Sequence, residues 1–174
     1  MRLIGLAGWS GAGKTTLLAK LIPELVRRGL RVSTLKHAHH HFDLDTPGKD
    51  SWVHREAGAT EVLVASANRF ALMHELRGEP EPPLAELVAR LSPVDLVVVE
   101  GFKAERHPKI EVHRAVNGKP FLYPDVPNVR AIASDVPAVG TALPVVPLDD
   151  VEAVADAVLR HAALLQDLIA ALKA

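Results

Sequence analysis

Residues 8–15 read GWSGAGKT, ending in Gly13, Lys14 and Thr15. The spacing is G-x-x-x-x-G-K-[ST], a loop whose backbone N–H groups and lysine grip a phosphate chain. Its setting decides the fold. Upstream, residues 3–7 (LIGLA) form a short apolar run, which predicts a buried strand. Downstream, residues 14–29 predict a helix, with Leu17, Leu18, Leu21 and Leu25 at helical spacing and Gly29 as its C-terminal cap. Strand, glycine loop and helix in that order are what a phosphate-binding loop requires. The helix N-terminus adds about half a positive charge facing the phosphates. Lys14 is expected to bridge the β- and γ-phosphates and Thr15 to offer its hydroxyl to Mg²⁺. Pro23 lies inside this helix, where proline costs about 3 kcal/mol, so a kink or boundary is expected there.

Outward from the loop, strand-like and helix-like segments alternate, which predicts an α/β fold. The expected class is a P-loop NTPase: a mostly parallel sheet flanked by helices, with some antiparallel strands, in a single domain spanning 1–174. Residues 30–36 read as the second strand, 51–57 as a short helix stopped by Gly58, and 60–66 and 68–76 as a strand hairpin. Residues 84–91 read as a helix, and 95–101 (DLVVVEG) as the central strand. Residues 109–116 (KIEVHRAV) alternate as a strand closed by the turn Asn117-Gly118. Residues 129–135 and 144–148 are later strands. From Asp149 or Asp150, an apolar stripe from Val151 to Leu172 predicts one long terminal helix.

A phosphate loop needs an acidic partner at the end of another strand, and Glu100 occupies that place. It is expected to hold Mg²⁺ through water or to polarise the attacking water. Glu100 is followed at once by Gly101, so the Asp-x-x-Gly ending of Ras-like switches is absent. No N-K-x-D guanine motif occurs, but Asp135 ends a late strand where such a loop belongs. A carboxylate there accepts from guanine and is left unpaired by adenine, a basis for strong discrimination. Asp135 as a plain turn or cap residue is the alternative.

Residues 35–51 (LKHAHHHFDLDTPGKDS) hold His37, His39, His40, His41, Asp43, Asp45, Lys49 and Asp50 where P-loop proteins place a mobile switch. Three readings stay open: Asp43 or Asp45 reaching the Mg²⁺ shell or a water, the imidazoles binding a transition metal, or a solvated loop gripping an anionic partner. Arg55 is a candidate phosphate contact, with a surface arginine as the alternative. Lys103, Arg106, His107 and Lys109 follow Glu100 and are expected near the carboxyl end of the sheet, where ligands bind in such folds and a second anionic ligand could sit.

Composition removes several classes. The 174 residues suit one domain, and no apolar run reaches the roughly 18 residues of a membrane span. No signal peptide is read, and no cysteine is present, which excludes disulfides and thiolate sites and fits a cytoplasmic protein. With 20 basic and 21 acidic residues the net charge is −1, not the basic surplus of a nucleic-acid binder.

Four stretches together (GWSGAGKTTLLAKLIPEL, LKHAHHHFDLDTPGKDSWVHREAGA, DLVVVEGFK and ASDVP) resemble the molybdopterin-guanine dinucleotide biosynthesis adapter family, MobB. The second stretch is the specific one, and the C-terminal third adds little. The resemblance implies a dimeric P-loop protein that binds GTP with Mg²⁺, hydrolyses it weakly and assists the guanylyltransferase MobA in joining GMP to molybdopterin. By motif it assigns Gly11, Ala12, Gly13, Lys14, Thr15 and Thr16 to phosphates and Mg²⁺, and Glu100 to the acidic strand end. By position it assigns Asp135 to the base, with Asp43 as a metal ligand or Asp45 as a catalytic group. Contact with molybdopterin itself is a further possibility. A dimer would extend a sheet through the strands at 70–76 and 109–116. Two rivals remain: a small-molecule kinase using ATP, and a nickel-insertion type of metallochaperone GTPase, against which stand the missing cysteines and the lack of a long His-rich tail.

Overall fold

The first strand, β1 (Arg2–Ala7), carries five consecutive buried residues and lies at the middle of the main sheet. A strand covered on both faces needs apolar side chains on both sides, and LIGLA supplies them. In the computed structural model, which describes residues 1–38 and 42–172, β1 pairs in parallel with β5 (Leu96–Glu100) on one side. On the other side it pairs in parallel with β6 (Lys109–His113). The sheet continues to β2 (Val32–Lys36) beyond β5, and to β7 (Val129–Ser134) and β8 (Val145–Pro147) beyond β6, all parallel. The order β2-β5-β1-β6-β7-β8 brings the carboxyl ends of β1, β5, β6 and β7 to one edge.

Helix α1 (Lys14–Arg27) runs through Pro23 without a boundary. Leu17, Leu18, Leu21 and Leu25 are all buried, and about 1.5–3 kcal/mol for each outweighs the proline's cost. The helix ends in a Schellman turn: Gly29, at φ 84°, donates to Val26 and Leu30 donates to Leu25. Together with α4 (Val151–His161), whose Asp150 cap accepts from the Ala153 N–H at 3.0 Å, α1 covers one face of the sheet over Ile4, Leu6, Val98, Ile110 and Val112. The opposite face, Leu3, Val97 and Val99, packs on Leu84 and Val88 of α3 (Leu84–Ala89) and on Leu172.

The expected single terminal helix is broken. After α4 the chain extends at Ala162, and β9 (Ala163–Leu164) pairs antiparallel with Arg2 and Leu3 before α5 (Leu165–Leu172) begins. β6 pairs only with Gly5–Ala7, so the first half of β1 leaves backbone groups that β9 satisfies. Arg2 fixes the break by donating to the carbonyls of Leu159 and Ala162 at 2.5–3.0 Å.

The strand expected over 109–116 is also corrected. β6 stops at His113, a 3-10 turn spans Ala115–Asn117, and every β6 residue is buried. Its polar side chains face protein: Lys109 donates to the carbonyls of Glu105, His107 and Pro127, Glu111 accepts from the N–H groups of Leu122 and Tyr123, and His113 stacks on Phe121 at 3.8 Å. Flanked by β1 and β7, β6 has no edge with which to extend a sheet between chains.

The chain divides into two compact units, Met1–His37 with Pro83–Ala174, and Ala38–Pro82. The second contains α2 (Asp50–Glu56) and the antiparallel pair β3 (Glu61–Ala65) and β4 (Phe70–His74). Leu63, Val64, Phe70 and Leu72 of that pair are exposed. Among the described residues no helix is long and apolar enough to cross a membrane.

Candidate nucleotide-binding site

β1 delivers the chain at Ala7 into the glycine loop, and α1 takes it away at Lys14. Gly11 and Gly13 hold φ of 80° and 89°, the left-handed region that other residues enter at a cost. Gly8 is required for another reason: a Cβ there would lie 2.6 Å from the Val112 carbonyl of β6. The N-terminus of α1 has no side-chain cap and no acidic residue in its first turn, so the positive end of the helix is left for an outside anion.

Within the loop, Lys14 Nζ donates to the carbonyls of Gly8 and Trp9, each at 3.0 Å. Burial lowers its pKa; Glu100 acts against this, and Lys103 and Lys36 reinforce it. Thr15 Oγ1 donates to Glu100 Oε1 at 3.2 Å, and Lys36 Nζ lies 3.9 Å from Glu100 Oε2. Lys14, Thr15 and Glu100 therefore converge where β1 and β5 end, with Glu100 opposite Leu6 in the register. A hydroxyl and a buried carboxylate in contact beside a lysine are hard oxygen donors suited to Mg²⁺ with a phosphate chain. Gly11, Ala12 and Gly13 form the turn, and Thr16 follows in the first turn of α1.

Asp135 lies just past β7. Its Oδ1 accepts from the Ala115 N–H at 2.8 Å, and its Oδ2 is 3.9 Å from Arg114. Asp43 and Asp45 belong to the Ala38–Pro82 unit, where both bind Arg55, at 2.9 and 3.2 Å, together with Glu75 at 2.8 Å. Asp45 Oδ1 also accepts from the Ser51 hydroxyl. Arg55 thus joins three carboxylates from the loop at 43–45 and the strand end at 75. Beside it lies a cavity of about 880 Å³ lined by Phe42, Leu44 and Leu72. Lys49 is the exposed residue preceding α2, and Asp50 is its first.

The histidine reading is covered only in part. His37 donates its N–H to the Glu100 carbonyl at 2.8 Å and its ring lies 4.6 Å from Phe102, while His39, His40 and His41 fall outside the described residues. Among the described residues no three His, Cys, Asp or Glu side chains gather as a metal site. The basic cluster expected after Glu100 divides. Lys103 lies 5.1 Å over the Trp9 ring, beside the loop. Lys109 opens β6 at the opposite end of that strand and is buried among carbonyls, and His107 is buried under Gly5. These two are core groups, and Arg106 is exposed.

Sequence reading missed the segment after β6. Asn117 Nδ2 donates to the Ser10 carbonyl at 2.9 Å, Trp9 Nε1 donates to the Pro120 carbonyl at 2.8 Å, and Lys119 lies 5.9 Å over the Trp9 ring. Residues 114–120 are thereby stitched along the phosphate loop. The only signal in the sequence was Asn117-Gly118, which suggests a hairpin equally well.

Comparison with known proteins agrees with this architecture. The family model described as molybdopterin guanine dinucleotide synthesis protein B matches residues 3–135. The chain is similar to the molybdopterin-guanine dinucleotide biosynthesis adapter protein of Escherichia coli (strain K12), 46% identical over 157 residues, covering 88% of this chain and 89% of that protein. It is likewise similar to the adapter protein of the same description from Haemophilus influenzae, 46% identical over 139 residues, covering 78% and 75%. Among solved structures, a MobB protein homolog from Bacillus stearothermophilus superposes with a TM-score of 0.68 at 28% identity, covering 91% of this chain and 95% of that one. A phosphate loop on a mostly parallel sheet, a family match over residues 3–135 and near-half identity to two adapter proteins lead to one assignment: the chain belongs to the molybdopterin guanine dinucleotide synthesis protein B (MobB) family.

Proposed function

We propose that this protein binds GTP with Mg²⁺ and acts as an adapter in the attachment of GMP to molybdopterin, docking on the guanylyltransferase MobA in the cytoplasm. The observation that carries the nucleotide part is the meeting of Lys14, Thr15 and Glu100 at an uncapped helix N-terminus. The adapter part rests on the two relatives whose names describe that role.

Gly11 to Thr16 would hold the phosphates, with Lys14 exchanging its two carbonyl partners for phosphate oxygens. Thr15 and Glu100 would hold the Mg²⁺, whose charge screens the phosphate chain. Glu100, with one oxygen on Thr15, would orient a water for the weak GTPase activity proposed here. Asp135 would read guanine at the end of β7, where the Ala115 N–H already fixes one of its oxygens. Asp43 and Asp45 anchor Arg55 within the Ala38–Pro82 unit.

The protein acts as a homodimer in this proposal. A two-stranded sheet is marginal alone, and β3–β4 leaves open edges and exposed apolar side chains that a second copy would cover. Sedimentation showing a monomer at micromolar concentration would remove that part. The function itself is tested by reconstitution: guanylyltransferase, molybdopterin and Mg-GTP, with and without this protein. The expected result is a higher yield of the dinucleotide with wild type and none of that gain with Lys14→Ala. Equal yields with and without the protein would count against the adapter role.

A further inference from the structure

Arg114 leaves the carboxyl end of β6 and turns toward the phosphate loop. A Cβ placed on Gly13 would lie 3.6 Å from its Nε and 3.9 Å from its Nη2, so the guanidinium rests against the left-handed glycine that precedes Lys14. Its two carboxylate neighbours are loose ones: Asp135 at 3.9 Å and Asp149 at 3.6 Å. Neither distance is a hydrogen bond. Two other arginines are well bonded, Arg55 by three carboxylates and Arg2 by two carbonyls. Among the described residues the Arg114 guanidinium makes no hydrogen bond, although it is only about a third exposed.

The backbone around it is firmly held. Ala115 donates to Asp135, Asn117 donates to the Ser10 carbonyl, and His113 stacks on Phe121. The position of Arg114 is thus fixed on both sides while its donors are not committed. A planar fork of donors held against the loop is suited to phosphate oxygens. The loop backbone and its lysine address the β- and γ-phosphates in such sites.

We propose that Arg114 is a phosphate-binding residue of this site, donating from its guanidinium to the β/γ end of the bound nucleotide. The proposal rests on the nucleotide reading above. It differs from a structural role, in which Arg114 serves only to tie Asp135 to Asp149.

The test measures binding of GTP, GDP, GMP and ATP, each with Mg²⁺, to wild type, Arg114→Ala and Arg114→Lys, together with the thermal midpoint of each unliganded protein. Expected is a loss of roughly tenfold or more for GTP and GDP in Arg114→Ala, the loss of a charge-assisted contact. GMP should change less than about twofold, since it lacks the phosphates addressed. Arg114→Lys should recover part of the loss, and the unliganded midpoints should agree. GTP binding unchanged in Arg114→Ala overturns this inference alone. So does an equal loss for GMP and GTP, with or without a lowered midpoint. A wild type that takes ATP and not GTP removes the guanine reading and leaves Arg114 to be judged on ATP by the same fold-change. A wild type that binds no nucleotide overturns both.

Discussion

Acidification should destabilise this protein through His107. The ring is fully buried against Gly5, where a Cβ would lie 2.3 Å from Nε2, and neither ring nitrogen has a hydrogen-bond partner among the described residues. Burial, aided by the nearby Lys109 charge, pushes its pKa down from 6.5 to about 3. The folded-state pKa lies below the unfolded one, so between pH 6.5 and 3 the unfolded chain takes up a proton that the folded chain refuses. Stability therefore falls as the pH drops below 6.5, and the contribution is flat above it. One pH unit is worth about 1.4 kcal/mol for one proton, so His107 alone should remove about 2 kcal/mol by pH 5 and about 3 kcal/mol by pH 4. That is a large share of the 5–15 kcal/mol or so typical of a folded domain. The assay is urea unfolding at pH 8 and pH 5 for wild type and His107→Leu. Carboxylates and other histidines titrate alike in both proteins, so the difference in pH dependence isolates this ring. The wild type should lose about 2 kcal/mol more than the variant between the two pH values. Parallel losses would show that the ring is not held neutral, and the reasoning from burial would fail.

Glu100→Gln should keep the fold but weaken Mg²⁺-dependent GTP binding by roughly tenfold or more, as loss of a group that orients a metal site does; titration with and without Mg²⁺ checks this, and an unchanged Mg²⁺ effect would remove Glu100 from the site. Gly8→Ala should cost about 1–3 kcal/mol, because its methyl meets the Val112 carbonyl at 2.6 Å and β6 cannot move aside cheaply; thermal unfolding reads it, and a midpoint equal to wild type would contradict the contact. Arg55→Ala leaves Asp43, Asp45 and Glu75 without their shared cation, so amide exchange should accelerate over residues 42–56 and 70–76 and stay unchanged in β1, β5 and α1; uniform acceleration would argue against a local anchor.

Where the sequence was readable, one residue type met one environment. LIGLA and LVVV are apolar on both faces because both faces are covered, and the leucines of α1 repeat at the spacing of its buried side. The phosphate loop was readable because glycine, lysine and threonine occur there for chemistry that few other folds need. Reading failed where a buried surface is polar. Lys109, Glu111 and His113 alternate with Ile110 and Val112, which imitates a solvent-facing strand, yet each polar group has a partner supplied by the segment at 121–127 that folds back on β6. The terminal stripe failed for the converse reason. It stays apolar from Val151 to Leu172, so no residue marks the break at Ala162; the break follows from the unpaired half of β1 and from Arg2, about 160 residues away. Arg114 and Asn117 escaped notice because their meaning depends on β6 lying beside β1.

The most direct test of the central claim uses Trp9, which sits in the phosphate loop with its indole N–H on Pro120 and Lys103 over its ring. Its fluorescence is followed while GTP and ATP are titrated separately with Mg²⁺ into wild type, Lys14→Ala and Asp135→Ala, with Trp52 as constant background. The account predicts a response to GTP at far lower concentration than to ATP, absent in Lys14→Ala and without preference in Asp135→Ala. Equal responses to GTP and ATP in the wild type would contradict a guanine-specific adapter and leave Asp135 as the residue that holds the Ala115 turn.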